Sequence, residues 1–360
     1  MTRISRRQWL AQAALLLGAV PRALAAPASP SCPGLRGRTI SWIVPHAAGG
    51  GHDAYSRLIA LYLAPALEAR ILVKNQPASG GLIGARTIVR SRPDGRTLGL
   101  ISGSGMLAAS VAGETRAPDP ATDFTVLGRV AGSEQVWATG RDSPLRTMDD
   151  VFAAARTRPI VFGTRDVGGL SFLSITLGSW LLGLPVEIVP GYGGTSGGVL
   201  AAVRGEVDLV SYDFDTIYGS IDGGDLRPLL QIAAAPVSAD PALAGVPALG
   251  GPGGAAAARA RARGMSVEEV LDDVGPFLDL VNAGRLVVAP PRMPATLSAC
   301  LEEALLSVLR DTGFRRRAAR ARLSLDVAGS AGARGRLASA ARRRGRFEPV
   351  IRAAIAELRS

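Results

Sequence analysis

The sequence predicts an α/β protein of two domains, each built on a mostly parallel sheet flanked by helices. Three observations lead there. Short β-branched runs bounded by Gly or Pro alternate with longer helical patterns, the signature of strands joined by crossover helices. A chain of 360 residues suits two domains of ordinary size. An apolar fraction of 47% is enough to fill two cores.

The strands are expected at Ile40–Val44, Ile71–Lys74, Leu98–Ile101, Val126–Val130, Ile160–Gly163, Val186–Val189, Val207–Ser211 and Leu229–Ala233, with one more at Arg285–Ala289 before Pro290-Pro291. The helical patterns between them cover Ala54–Ala69, Leu82–Arg90, Met148–Ala155, Ser171–Leu182 and Gly197–Arg204. Gly250 to Gly264 is rich in Gly, Ala and Arg and reads as a surface insertion, partly helical or mobile. A helix starts near Ser266, where Glu269 three residues on completes a capping-box pattern. Amphipathic helices then run to the end.

The first residues stand apart from this pattern. Residues 1–25 have a basic start, an apolar middle (Leu10 to Val20) and a small-x-small end at Ala23-Leu24-Ala25, the make-up of an export signal. Ser5-Arg6-Arg7-Gln8-Trp9-Leu10 resembles a twin-arginine signal, and an ordinary secretory signal accounts for the same residues. Either one directs the mature chain to the periplasm. Removing Arg3, Arg6, Arg7 and Arg22 lowers the net charge from +11 to +7. Lys74 is the only lysine, so the positive charge is arginine, densest at Arg315-Arg316-Arg317, Arg320 and Arg322 and at Arg342-Arg343-Arg344 and Arg346. These lie on alanine-rich helical stretches and read as solvated faces. No nucleic-acid partner is expected of an exported chain with 5% aromatics. Cys32 and Cys300 either pair in an oxidising compartment or stay free, and no second Cys or His stands at ligand spacing to either.

The chemistry-bearing residues fall in loops after strands, where open α/β sheets take their ligands. In Val44–Arg57, Gly49, Gly50 and Gly51 expose backbone N–H groups just ahead of a helix, with Asp53 expected as its N-cap. A tight turn needing glycine is the alternative account of the run. No Gly-Lys-Ser/Thr follows, so the run is not a P-loop, and Pro77–Ala85 misses the dinucleotide fingerprint because Ser79 replaces its first glycine. His46 and His52 are the only histidines; with Asp53 they make an incomplete metal set, and no metal or other cofactor is expected. Gly194-Thr195-Ser196-Gly197-Gly198 satisfies G-x-S-x-G, but both histidines precede it, against the order of a nucleophile elbow. The remaining polar loops are Ser102-Gly103-Ser104, Thr164-Arg165-Asp166 and Ser211-Tyr212-Asp213. With no carboxylate pair or triad, these loops point to recognition of a small polar ligand and no catalytic residue.

The stretches IVPHAAGGGHDAYSRLIA, VKNQPASGGLIGA, RPDGRTLGLISGSG and VPGYGGTSGGVLAAVRGEVDL together resemble the Bug, or TctC-like, family of extracytoplasmic solute-binding proteins of tripartite tricarboxylate transporters. The likeness runs from about Arg38 to the C-terminus and is strongest before Asp213. It implies a periplasmic-binding-protein (Venus flytrap) fold, with residues 26–130 and 236–360 in one domain and 131–235 in the other. It also implies a small organic anion, usually a carboxylate, held in the cleft by a monomer that serves membrane transporter subunits. The ligand-binding residues so implied are His46, Ala47, Ala48, Gly49, Gly50, His52, Asp53, Ser102 and Ser104 on one side. Thr164, Arg165, Ser171, Tyr192, Thr195 and Asp213 stand on the other. The chain departs from the family at Gly168-Gly169-Leu170 and Phe172, at Arg165 where a small residue is usual, at Lys74, and in the length of Gly250–Val281. Arg165 either clamps a carboxylate or faces solvent. Two other readings stay open: an exported serine hydrolase using Ser196, and the ligand-binding part of a sensor.

Overall fold

The computed structural model describes residues 32, 34–78, 81–111, 117–236 and 240–358, so the export signal lies outside the described residues. Two sheets form the frame. The first runs in the order β11 (Ala328–Gly329), β4 (Thr125–Ala131), β10 (Arg285–Ala289), β3 (Thr97–Ser102), β1 (Thr39–Val44), β2 (Arg70–Asn75). The second runs β7 (Val186–Val189), β6 (Ile160–Gly163), β8 (Leu209–Asp213), β5 (Gln135–Gly140), β9 (Leu226–Ile232).

Both sheets are mixed. β10 lies antiparallel between β3 and β4, and β5 lies antiparallel between β8 and β9. Most strands in each sheet still point one way, as the alternation of elements predicts. β5 and β10 are the first strands the chain lays down in a sheet after crossing from the other: it leaves the first sheet after Ala131, and it returns after Ile232 to place β10. The short edge strand β11 is also reversed, antiparallel to β4. β5 has no counterpart in the sequence reading. All its residues are buried, so it shows no polar alternation to mark it as a strand.

Thirteen helices among the described residues cover the sheets. Those that follow strands are α1 (Gly51–Ala66), α2 (Leu82–Val89), α3 (Gly103–Val111), α4 (Met148–Ala154), α5 (Leu170–Leu182), α6 (Gly194–Val203) and α7 (Phe214–Asp222). The later ones are α8 (Ala255–Ala262), α9 (Val267–Val281), α10 (Ala295–Arg310), α11 (Thr312–Arg320), α12 (Ser330–Arg343) and α13 (Glu348–Glu357). α3 and α7 are unannounced by the sequence pattern. In α3, two glycines in the first turn weaken helix propensity, and burial of Met106, Leu107 and Ala108 against α5 compensates. Ser266 caps α9, its hydroxyl accepting from the Glu269 N–H at 3.3 Å.

Side-chain alternation divides the core. On β1, Ile40, Trp42 and Val44 join Tyr55, Ile59, Leu63, Leu301 and Phe314 under α1, α10 and α11, while Ile43 turns to the opposite face. There it enters a cluster that continues through Trp137 and Phe162 of the second sheet and Phe172 and Leu173 of α5. α8, α9 and α13 pack on α5 and extend this cluster. The Gly250–Gly264 stretch is therefore no surface insertion. Ala255, Ala256, Ala257 and Ala260 are buried, and the small side chains let α8 sit close against α5 and α9. Arg259 donates to the Leu182 carbonyl at 3.1 Å, closing the C-terminal end of α5. Cys32 and Cys300 form a disulfide, with Cα atoms 5.5 Å apart, tying the segment before β1 to α10.

Candidate functional site

Five strand-to-helix turns open on one cavity of about 360 Å³. They lead into α1, α3, α5, α6 and α7, and they contribute Gly50, Gly51, Ser102, Gly105, Gly169, Leu170, Ser171, Gly194, Thr195, Asp213 and Thr216 to the lining. Four of these helices, α1, α5, α6 and α7, have no side chain capping their N-terminus. A first-turn N–H has no intrahelical acceptor, and the peptide dipoles place partial positive charge at that end. Several such ends around one cavity favour an anion there. Some first-turn donors are satisfied: Ser102 Oγ accepts from the Gly105 N–H of α3 at 3.0 Å, the Tyr192 carbonyl from the Gly194 N–H of α6 at 2.7 Å, and the Glu134 carbonyl from the Phe214 N–H of α7 at 2.8 Å.

The glycine run is required by space as well as by backbone angle. Gly49 has φ +80°, and a Cβ on Gly51 would stand 2.7 Å from Thr216 Cγ2. α1 of the first sheet thus approaches α7 of the second through a bare backbone.

Asp53 is not the N-cap of α1. The helix starts at Gly51, and the carboxylate points backward, accepting from the Gly49 N–H at 2.9 Å, Arg57 Nε at 2.9 Å and Asn75 Nδ2 at 3.0 Å. Burial pushes this carboxyl up, but the bonds from Arg57, Gly49 and Asn75 outweigh it and hold it below the usual carboxylate range. Asn75 also donates to the His46 carbonyl at 3.1 Å. Asp53 therefore shapes the loop without lining the cavity, and Ala48 and Gly49 do not line it either.

His46 and His52 both line the cavity with their rings stacked, centroids 3.7 Å apart and 7° from parallel. Burial, then the charges of Arg165 and Arg285, depress His46 to about 3. Burial, then His46 and the same arginines, lower His52 well below its ordinary value. Both are neutral at physiological pH. His46 Nδ1 and His52 Nε2 have no hydrogen-bond partner among the described residues.

Two further charges at the cavity are already matched. Arg165 reaches the Asp166 carboxylate with Nε and Nη2, both at 2.7 Å. Asp213 accepts from Gln135 Nε2 at 2.9 Å and pairs with Arg285 at 3.2 Å. Burial raises its carboxyl, and Arg285 opposes that rise. Arg285, only 1% exposed, also donates to Asp215 at 3.0 Å and to the Gly132 carbonyl at 2.8 Å, and its guanidinium lies 4.8 Å from the centre of the Tyr55 ring. Ser211 extends the network from Gln135 to Ser174.

Of the residues expected at the site, His46, Ala47, Gly50, His52, Ser102, Arg165, Ser171, Thr195 and Asp213 line the cavity. Ser104, Thr164 and Tyr192 do not. Ser104 donates to the Val281 carbonyl at 2.5 Å and accepts from the Gly284 N–H, joining α3 to the end of α9. The Thr164 N–H serves the strand ladder through the Val189 carbonyl, and the Tyr192 ring packs on Gly163. Tyr212 lines the cavity from the expected Ser211–Asp213 loop, whereas Gln135 and Thr216, which line it, and Arg285, which supports it, were missed by sequence reasoning. An arginine opening the otherwise apolar strand Arg285–Ala289 was the one available signal. Ser196 is exposed in α6 and lies off the lining, and no group of three or more metal-binding side chains occurs among the described residues.

Residues 55–257 match the profile of a family described as the tripartite tricarboxylate transporter family receptor. BugT of Bordetella pertussis is 27% identical over 200 residues, 55% of this chain and 61% of BugT. A protein encoded in the tcbD-tcbE intergenic region of a Pseudomonas species is 30% identical over 217 residues, 58% of this chain and 61% of that protein. The chain thus spans about three-fifths of the length of these curated relatives. Among solved structures, the periplasmic binding protein BugD superposes with a TM-score of 0.69 at 20% identity, covering 87% of this chain and 97% of BugD. MatC from Rhodopseudomonas palustris, with bound malate, gives 0.68 at 22% identity over 87% of this chain and 99% of MatC. The profile match covers more than half the chain, and the periplasmic-binding-protein fold agrees with it. The chain belongs to the tripartite tricarboxylate transporter receptor family, a family of receptors and not of enzymes.

Proposed function

We propose that this protein is a periplasmic receptor that captures a small carboxylate and delivers it to the membrane subunits of a tripartite tricarboxylate transporter. The observation that carries the reading is the set of uncapped helix N-termini around a cavity whose own charged groups are already paired. An incoming carboxylate meets oriented peptide N–H groups and the hydroxyl of Thr195, while the Ser171 hydroxyl already donates to the Ser211 carbonyl at 2.6 Å, and no buried ion pair is broken. Arg165 keeps donor capacity beyond its contact with Asp166. The size of the cavity suits a short di- or monocarboxylate, and two structurally similar proteins hold malate and adipate.

In this reading residues 1–25 are the export signal, and the lobes are 26–130 with 236–360, and 131–235. The lobes of a monomer close on the ligand through the β4–β5 and β9 crossings. The disulfide between Cys32 and Cys300 accords with export.

A thermal-shift screen with malate, adipate, citrate and aromatic acids tests the proposal. A ligand at a hundredfold excess over its Kd stabilises the folded state by about 2.7 kcal/mol. Absence of a shift with every carboxylate, alongside a shift with a neutral or cationic solute, would overturn it.

A further inference from the structure

α11 buries Phe314 and Ala318 against α1 and turns Arg315, Arg316, Arg317 and Arg320 to solvent. At 3.6 residues per turn the four arginines span an arc of about 200°, centred opposite the buried side. Residues 310–322 hold six arginines and one aspartate, and Asp311 is engaged in capping α11 through the Phe314 N–H. Arg322 pairs with Asp240 and stacks on Tyr218. Arg310, Arg315, Arg316, Arg317 and Arg320 make no ion pair among the described residues.

Folding alone does not reward this arrangement. The helix dipole favours Arg317 and Arg320 in the last turn, but it gives no reason for Arg315 and Arg316. Arg316 and Arg320 form a like-charge pair four residues apart, which costs the helix stability. The face also carries no large exposed apolar side chain. A specific protein socket is built around a buried aromatic or aliphatic anchor, and this convex surface has none. Closely spaced guanidinium groups match a different partner, a plane of phosphodiesters that adjusts laterally to them. We propose that the α11 arginine face docks the protein electrostatically on an anionic phospholipid bilayer.

Co-sedimentation of the purified protein with phosphatidylcholine vesicles, with and without phosphatidylglycerol, tests this. The expected result is binding only to the phosphatidylglycerol vesicles, lost as salt is raised. The variant Arg315→Glu/Arg316→Glu/Arg317→Glu should lower partitioning on the order of a hundredfold, while its melting temperature stays near that of the parent because all three positions are exposed. Arg92→Glu/Arg146→Glu/Arg156→Glu makes the same change in net charge at exposed positions elsewhere and should retain most of the binding. Equal loss in the two variants would overturn the proposal in favour of a bulk charge effect. Failure of the parent protein to sediment at low salt would also overturn it, and retention on immobilised polyglutamate in that case would point instead to an acidic protein partner.

Discussion

Arg285 Nη2 donates to Asp215 Oδ1 at 3.0 Å, joining β10 of the first sheet to the first turn of α7 beyond the second. The same nitrogen lies 3.2 Å from Asp213, so one buried guanidinium serves two carboxylates, of which Asp213 lines the cavity. Arg285→Met leaves both carboxylates without a cation, keeping the Gln135 amide at Asp213 and the Tyr55 hydroxyl at Asp215. Removing one partner of a buried ion pair costs about 3–5 kcal/mol. Urea unfolding should show a loss of that size, whereas Arg285→Lys, which keeps the charge but gives up the planar fork, should lose less.

The stacked histidines set a pH dependence. Both have folded-state values lowered from 6.5, so between that value and about 3 the unfolded chain binds more protons than the folded one at His46. Stability is full above the unfolded value and falls as pH drops below it. His46→Gln/His52→Gln should flatten the stability profile from pH 6.5 down to the onset of carboxyl titration. An unchanged slope in denaturation midpoints there would show that other groups set it.

The close approach of Gly51 to Thr216 gives a reversible test of lobe contact. Gly51→Ala puts a methyl 2.7 Å from Thr216 Cγ2, so the Thr216 side chain or the approach of α1 to α7 must shift. Overpacking of this kind costs about 1–3 kcal/mol, read here as weaker ligand binding in titration calorimetry. Thr216→Ser removes the opposing methyl and should restore affinity in the double variant, a rescue that no general loss of folding would allow.

Reducing the disulfide between Cys32 and Cys300, or replacing Cys300 by Ser, should lower stability by about 2–4 kcal/mol in chemical denaturation. Cys32 precedes β1 and the cavity lies beyond the other end of that strand, so carboxylate affinity should not change.

Where local chemistry dominates, sequence and structure agree. The runs Ile160–Gly163, Val186–Val189 and Arg285–Ala289 are β-branched and bounded by turn residues, and each is a strand with those limits. β5 and α3 escaped because tertiary packing stabilises them, one by burial on both faces and the other despite its glycines. The site divides in the same way. The glycine loops were legible because glycine ahead of a helix has few other uses. The roles of Asp53, Asp213 and Arg165 were not, since each depends on a partner that spacing alone does not identify.

By itself the sequence determined the alternation of strands and helices, the loops that would carry the site and the family to which the chain belongs, because these rest on periodicity, turn chemistry and ordered motifs. Only the tertiary structure decided which of those groups face the cavity and which are spent on holding it. Ion-pair partners such as Arg285 with Asp213, 72 residues apart in the chain, are chosen by how the two sheets meet, and no local pattern records that choice.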